Sequence, residues 1–281
     1  MPRYLLFPVN DALPKNKYYI RTPDGKTVSD FDAAYAPDDP RFYAHIDVTR
    51  FGDCAITDAD GNVLPTKTSD RLPAVAEIPG GSVLRPAVHF TTTLGWTNDP
   101  NGLVYADGVY HMFSQHNPMS TDWGNMTWGH ATSPDLLRWT DHGDKLFPDG
   151  TGTMFSGSAV VDGTNAAGFG KDAILLFYTA AGGCNEMSAG VPFTQCLAYS
   201  TDGGETFTKY AGNPIIPHII GSNRDPKVQW SDELGKYTLS LYLDGRDYAI
   251  FTSDDLLSWE KFCDVPMPFD NECPEIGRAH V

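Results

Sequence analysis

The sequence predicts an all-β chain, with a small N-terminal β module over residues 1–83 and propeller-type blades over residues 84–275. Three observations carry this reading. Short runs rich in β-branched and aromatic residues alternate with Gly, Pro, Asn and Asp turn pairs. A unit made of a Ser/Thr-Asp turn and a closing aromatic recurs three times. No long stretch repeats apolar residues at helical spacing.

In chain order, the first 83 residues hold runs such as Tyr18-Tyr19-Ile20 and Phe42-Tyr43-Ala44-His45-Ile46, separated by Asp24-Gly25 and Asp60-Gly61. Glycine supplies the positive φ of such a turn without a steric penalty. Pro79-Gly80-Gly81-Ser82 reads as a hinge, after which the texture changes to aromatic-rich strands. The recurring unit is Thr132-Ser-Pro-Asp-Leu-Leu-Arg-Trp139, then Ser200-Thr-Asp-Gly-Gly-Glu-Thr-Phe207, then Thr252-Ser-Asp-Asp-Leu-Leu-Ser-Trp259. The closing aromatics fall 68 and then 52 residues apart, a spacing that suits blades of four strands plus loops. In such a unit the polar side chains satisfy turn amides while the ring anchors the hairpin.

The composition bounds the function. Against 36 Asp and Glu stand 20 Lys and Arg, a formal charge of −16 that repels phosphate backbones and anionic lipid surfaces. Nucleic acid and membranes are therefore not expected partners. A neutral substrate meets no such repulsion, and 12% aromatic residues with six Trp suit stacking against the apolar faces of sugars. The five cysteines show no paired spacing and read as free thiols. Residues 1–10 lack the apolar stretch and cleavage site of a signal peptide, so the sequence as it stands reads as cytoplasmic, or as secreted or periplasmic if the start lies upstream. His111, His116 and His130 lack a convincing zinc spacing and are expected in core or hydrogen-bonding roles. Asn125-Met126-Thr127 matches a glycosylation sequon by pattern alone.

Three segments put a carboxylate at a turn-forming sequence: Trp96-Thr-Asn-Asp-Pro-Asn-Gly102, Arg224-Asp225-Pro226 and Asn271-Glu272-Cys273-Pro274. Pro100 has no amide proton for a ladder, which predicts a loop or strand end for the first of them. With Tyr110-His-Met-Phe-Ser-Gln-His-Asn-Pro118, Trp123-Gly124, Trp128-Gly-His130 and Phe155-Ser-Gly-Ser158, these segments resemble, in order, the motifs of glycoside hydrolase family 32. The resemblance covers about residues 84–275.

That resemblance implies a five-bladed β-propeller, of which about three blades are present. It implies a retaining β-fructosidase of the invertase, inulinase and levanase group, releasing fructose from sucrose, inulin or levan through a covalent fructosyl-enzyme. Asp99 would be the nucleophile, Asp225 the transition-state stabiliser and Glu272 the general acid/base. Trp96, Asn98, Gln115, Trp123, Phe155, Ser156, Arg224 and Cys273 would shape the fructose pocket. No metal or organic cofactor is implied.

The chemistry needs such a set. Ketoside cleavage passes through an oxocarbenium-like state, so a carboxylate on one face of the ring and a protonated carboxyl at the leaving oxygen both lower the barrier. Glu272 as an acid near neutral pH needs burial or neighbouring negative charge, which Asp99 and Asp225 can supply. Arg224 is expected to keep Asp225 ionised.

Thr97 stands where the family has Met, and Ser114 where it has Tyr; both bear on affinity and leaving-group preference. The N-terminal module tilts the substrate reading toward a fructan polymer. The chain stops nine residues after Glu272, and residues 276–281 read as a non-native tail. An unclosed propeller leaves a strand edge bare, so the 281-residue chain is expected to be poorly stable and inactive by itself. Alternatives within enzymes are a fructosyltransferase and an arabinan- or xylan-type hydrolase. From another class comes a non-catalytic sugar-binding propeller. A sialidase-like reading of residues 200–207 has no accompanying arginine cluster.

Overall fold

The computed structural model describes residues 3–74, 77, 86, 90–268 and 272–274. The expected hinge at 79–82, Asn271 and the tail 276–281 lie outside the described residues. Regular structure among the described residues is β, as expected, with a short 3-10 helix at Glu186–Ser188.

Two three-stranded antiparallel sheets come first. One places β1 (Tyr4–Val9) between β4 (Phe42–Asp47) and β6 (Lys67–Ser69). The other places β2 (Asn16–Arg21) between β3 (Thr27–Ala33) and β5 (Ala55–Thr57). The expected runs at Tyr18 and Phe42 are β2 and β4, and Gly25, at φ 84°, turns β2 into β3. Alternate side chains such as Phe7, Val9, Ile20, Phe31, Ala44 and Ile46 form one apolar cluster between the two sheets.

Three four-stranded antiparallel meanders follow. The first runs through β7 (Trp96–Ala106), β8 (Val109–Asn117), β9 (Thr127–Ser133) and β10 (Thr140–Leu146). The second runs through β11 (Thr153–Asp162), β12 (Ala173–Ala181), β13 (Thr194–Ser200) and β14 (Thr208–Lys209). The third runs through β15 (Arg224–Ser231), β16 (Lys236–Asp244), β17 (Asp247–Ser253) and β18 (Glu260–Pro266). The first strands stand side by side, β11 between β7 and β15.

The recurring unit of the sequence is the turn from the third to the fourth strand of each meander. In the first, Asp135 Oδ1 accepts the amides of Leu137 and Arg138 at 2.9 and 2.8 Å. In the third, Asp255 Oδ1 accepts those of Leu257 and Ser258 at 2.9 and 2.7 Å. In the second, Asp202 accepts from Thr206 instead. The closing rings also bridge meanders: Phe207 meets Phe113 of the preceding sheet with centroids 5.4 Å apart, and Trp259 meets Phe177 at 6.1 Å.

All nine residues of β12 are buried, because both of its faces are covered. Ile174, Leu176, Tyr178 and Ala180 pack, with Met154 of β11, toward Phe113 and Trp128 of the first meander. Leu175 and Phe177 pack toward the third with Val228, Leu239 and Leu241. Ser158 on β11 ties the inner strands together, donating to Pro226 O and accepting from Val228 N, both at 2.9 Å.

Gly157 lies against β12, where an added Cβ would fall 1.9 Å from Phe177 O. Backbone there cannot yield as a flexible side chain would. Gly157→Ala is therefore expected to cost about 3 kcal/mol of stability, read as a lower denaturant midpoint for the protein carrying this chain.

Candidate active site

The first strands of the three meanders are each irregular near their start, and there Trp96, Asn98, Asp99, Phe155, Ser156, Arg224 and Asp225 stand. Pairing of β7 with β8 breaks between Thr97 and Pro100, freeing Asn98 and Asp99. Pairing of β11 with β12 breaks between Phe155 and Gly157, freeing Ser156. Pairing of β15 with β16 breaks between Arg224 and Lys227, freeing Asp225 and Pro226. A bulge re-aims side chains out of the two-residue alternation, and a proline is tolerated there because no ladder bond is lost. The expectation of a loop or strand end around Asp99, and of a turn at Asp225, is corrected to this extent. Both prolines lie within strands, on sheet edges, at bulges.

The bulges bring the side chains together. Ser156 Oγ donates to Asp99 Oδ2 at 2.7 Å. Asp225 is buried, with φ of 63°. Its Oδ2 accepts the Cys273 amide at 3.2 Å and faces the Cys273 thiol at 3.6 Å. Those bonds carry the Glu272-Cys273 segment to β15 across 48 residues of sequence. Arg224 joins the two acids: its Nη2 meets Glu272 Oε1 at 2.5 Å, and its Nε lies 3.7 Å from Asp225 Oδ2. The guanidinium is itself held over the Tyr242 ring, 4.5 Å from the centroid, and donates to Ser222 O at 2.8 Å.

The electrostatics depart from the sequence expectation. Burial pushes the Asp225 carboxyl up from 3.8 to about 6; the Cys273 amide and Arg224 pull it down, and Glu272 and Asp99 add to the rise. Arg224 thus acts in the expected direction, but desolvation outweighs it. Glu272, expected to have burial or neighbouring negative charge, has a side chain 61% exposed and ion-paired to Arg224, with the Asp225 carboxyl as its negative neighbour. Desolvation, with Asp225 and Asp99 next, pushes the Cys273 thiol up to about 12, so it stays a proton donor toward Asp225.

These causes have opposite signs that can be read separately. The Asp225 carboxyl signal is expected to titrate near pH 6, to move higher in Arg224→Leu and lower in Asp99→Ala, as measured by carbon-detected NMR. Its protonated form contributes stability that is fully present below 3.8 and is lost as pH rises through about 6.

Gln115 is buried and donates to Met154 O at 2.8 Å. Trp123, 58% exposed, meets Phe155 edge-on at 5.9 Å, and Phe155 meets Phe193 at 5.5 Å, making a row of three rings. Trp96 is half-buried and Asn98 exposed at the start of β7, and neither joins the hydrogen bonds that link the carboxyl groups among the described residues. The two departures from the family pattern touch: Thr97 Oγ1 lies 3.2 Å from Ser114 Oγ.

Several supporting residues escaped the sequence reading. Thr179 Oγ1 accepts the Asp225 amide at 3.0 Å and donates to Gln195 Oε1 at 2.7 Å; Gln195 Nε2 then donates to Asn223 O at 3.0 Å. All three side chains are buried, so this relay fixes the strained backbone of Asp225. Asn101, with its amide turned to satisfy both ends, donates to Ser156 Oγ and accepts from Gln115 Nε2 and Trp128 Nε1, each at 3.2 Å. Phe193 and Tyr242 also belong here.

The histidines hydrogen-bond within the fold. His116 pairs with Asp144 at 2.6 Å; burial opposes its charge, but Asp144 raises it to about 9. His111 and His130 stack, and the His130 ring lies on Phe113. Among the described residues no group of side chains could hold a metal ion. No helix among them is long and apolar enough to cross a membrane. The five cysteines are unpaired. The Asn125 side chain, part of the sequon, is bonded at both ends to the Asp32 backbone, at 2.9 Å each.

Part of this chain is similar to known proteins. Levanase from Bacillus subtilis (strain 168) is 45% identical over 179 residues, covering 62% of this chain and 25% of that protein. Invertase from Schizosaccharomyces pombe is 38% identical over 214 residues, covering 70% of this chain and 36% of that protein. The crystal structure of exo-inulinase from Aspergillus awamori superposes with a TM-score of 0.57 at 37% identity, covering 63% of this chain and 39% of that one. The chain thus spans less than half the length of each of these relatives. Residues 89–276, more than half of the chain, match the glycosyl hydrolases family 32 N-terminal domain, and the chain belongs to that family.

Proposed function

We propose that the protein carrying this chain is a retaining β-fructosidase that releases fructose from levan, inulin or sucrose. In this reading Asp99 attacks the anomeric carbon of a terminal fructosyl unit while Glu272 gives a proton to the leaving oxygen. Glu272 then takes a proton from water, which displaces Asp99 and frees fructose. Asp225, held by Cys273, Thr179 and Arg224, accepts hydrogen bonds from sugar hydroxyls and stabilises the developing positive charge. Trp96, Asn98 and Gln115, with the Trp123–Phe155 wall, enclose the ring, and Ser156 orients Asp99.

The observation that carries this reading is the meeting of three carboxyl groups from distant segments. Asp99 comes from β7, Asp225 from β15 and Glu272 from beyond β18, and the last two bear on the same arginine. The names of the relatives, levanase, invertase and exo-inulinase, support the substrate class. We further read residues 84–275 as three blades of a five-bladed propeller and residues 1–83 as a separate β module, with the lean toward a fructan polymer resting on that module.

The test is fructose release from sucrose, inulin and levan by the protein carrying this chain. Release from at least one of them, with the preferred substrate naming the specificity, is the expected result. Binding of a fructan with no release would mark a non-catalytic sugar-binding protein instead.

A further inference from the structure

Residues 3–69 lie outside the segment that matches the family, yet they grip two of its loops. The first loop joins β8 to β9 and carries Trp123. Asp11 accepts from Ser120 Oγ at 2.8 Å, from Thr121 N at 3.1 Å and from Thr121 Oγ1 at 2.8 Å. Lys15 forms an ion pair with Asp122. The Asn125 amide exchanges two bonds of 2.9 Å with the backbone of Asp32 on β3. Met119 is buried in the cluster between the N-terminal sheets. Trp123 thus lies between residues fixed on both sides by the N-terminal sheets, while its own ring is largely exposed and touches Phe155.

The second loop joins β12 to β13 and leads to Phe193. The Asp30 carboxylate, buried on β3, accepts Glu186 N at 3.0 Å and Met187 N at 3.1 Å. Tyr19 OH donates to Glu186 Oε2 at 2.7 Å. Asp30 and Asp32 lie on one strand, so a single edge of the N-terminal sheet serves both loops.

The loop also has an internal tie, since Asn117 Nδ2 donates to Asp122 O at 2.7 Å. The same side chain accepts the Met119 amide at 3.0 Å, so the internal ties of the loop converge on Asn117 at the end of β8. Ser120 Oγ also faces Asp122 Oδ1 and Asn125 Nδ2 donates to Asn117 Oδ1 at 3.1 Å, whereas both bonds of Thr121 go to Asp11, outside the family domain.

We propose that the N-terminal sheets position the aromatic wall of the fructosyl site, with Asp11 as the positioning residue for Trp123. This rests on the fructosidase reading for its substrate, though not for its geometry. The wall contributes to sugar binding and lies away from the proton transfers. Loosening it therefore weakens binding and leaves the chemical step in place. The module is on this view part of the specificity apparatus, adding the Asp11, Lys15 and Asp32 contacts to the loop's own ties through Asn117.

The experiment uses the protein carrying this chain and its Asp11→Ala variant, each alone and combined with Trp123→Ala. Asp11→Ala is expected to raise KM for the best fructoside about tenfold, with kcat changed by less than about twofold. In the Trp123→Ala background the same substitution is expected to add nothing, because the residue it positions is gone. Hydrogen exchange of the 118–126 amides is expected to quicken in Asp11→Ala, a readout that needs no activity. If Asp11→Ala fails to fold, Thr121→Val removes one of the three bonds and is expected to give a smaller change of the same kind. Unchanged KM and unchanged exchange would overturn the proposal, as would an equal KM rise without Trp123. A wild-type protein inactive on every fructoside would count against the functional reading, and the exchange result alone would then decide this one.

Discussion

Asp99→Ala is expected to lower kcat for fructoside hydrolysis on the order of 10^5-fold, because without a nucleophile no fructosyl-enzyme forms. The fold should survive. Asp99 stands in the bulge of an edge strand and gives up one bond, from Ser156, so its loss empties no cavity and leaves no buried charge. Unchanged circular dichroism beside lost fructose release is the expected pattern. Retained release in Asp99→Ala would remove Asp99 from the mechanism.

Glu272→Ala is expected to lower kcat about 10^3-fold on sucrose or fructans, the scale of general acid catalysis. With an aryl fructoside, whose leaving group needs no proton, the first step should be nearly spared and the intermediate should accumulate. The substitution also frees Arg224 from its ion pair and removes a negative neighbour of Asp225, so the Asp225 carboxyl is expected to titrate lower. Pre-steady-state release of the aryl group, as a burst followed by slow turnover, checks the kinetic part. An equal loss on both substrates would show that Glu272 does not supply the proton.

Much of the site was legible because its residues advertise themselves. Asp-Pro, Arg-Asp-Pro and Glu-Cys are unusual pairings between β runs, and together in order they point to one family. The all-β class followed from turn glycines such as Gly25 and Gly61, both found at positive φ. The recurring Ser/Thr-Asp units fell at one place in each meander because an Asp oxygen capturing turn amides is a local device, readable without tertiary context.

What escaped was set by long-range packing. Thr179 and Gln195 read as ordinary strand residues; their bond to each other spans two adjacent strands, and the bond to Asp225 crosses between meanders. A glutamine inside the buried run Thr194–Ser200 was the available signal, since a fully buried amide demands partners. The bulges were misjudged for a related reason. Pro100 and Pro226 argue against a central strand, but they do not tell a loop from an irregular edge strand. The charge of Asp225 was misjudged because the sequence shows its arginine neighbour while burial, the larger cause, appears only in the fold.

The most direct test of the central claim, that Asp99 attacks the fructosyl carbon, is intact-mass and peptide analysis of the Glu272→Ala protein stopped during turnover of an aryl fructoside. The expected result is a mass gain of one hexosyl unit, mapped to the peptide that holds Asp99. Turnover with no adduct, and fructose of inverted configuration, would contradict it.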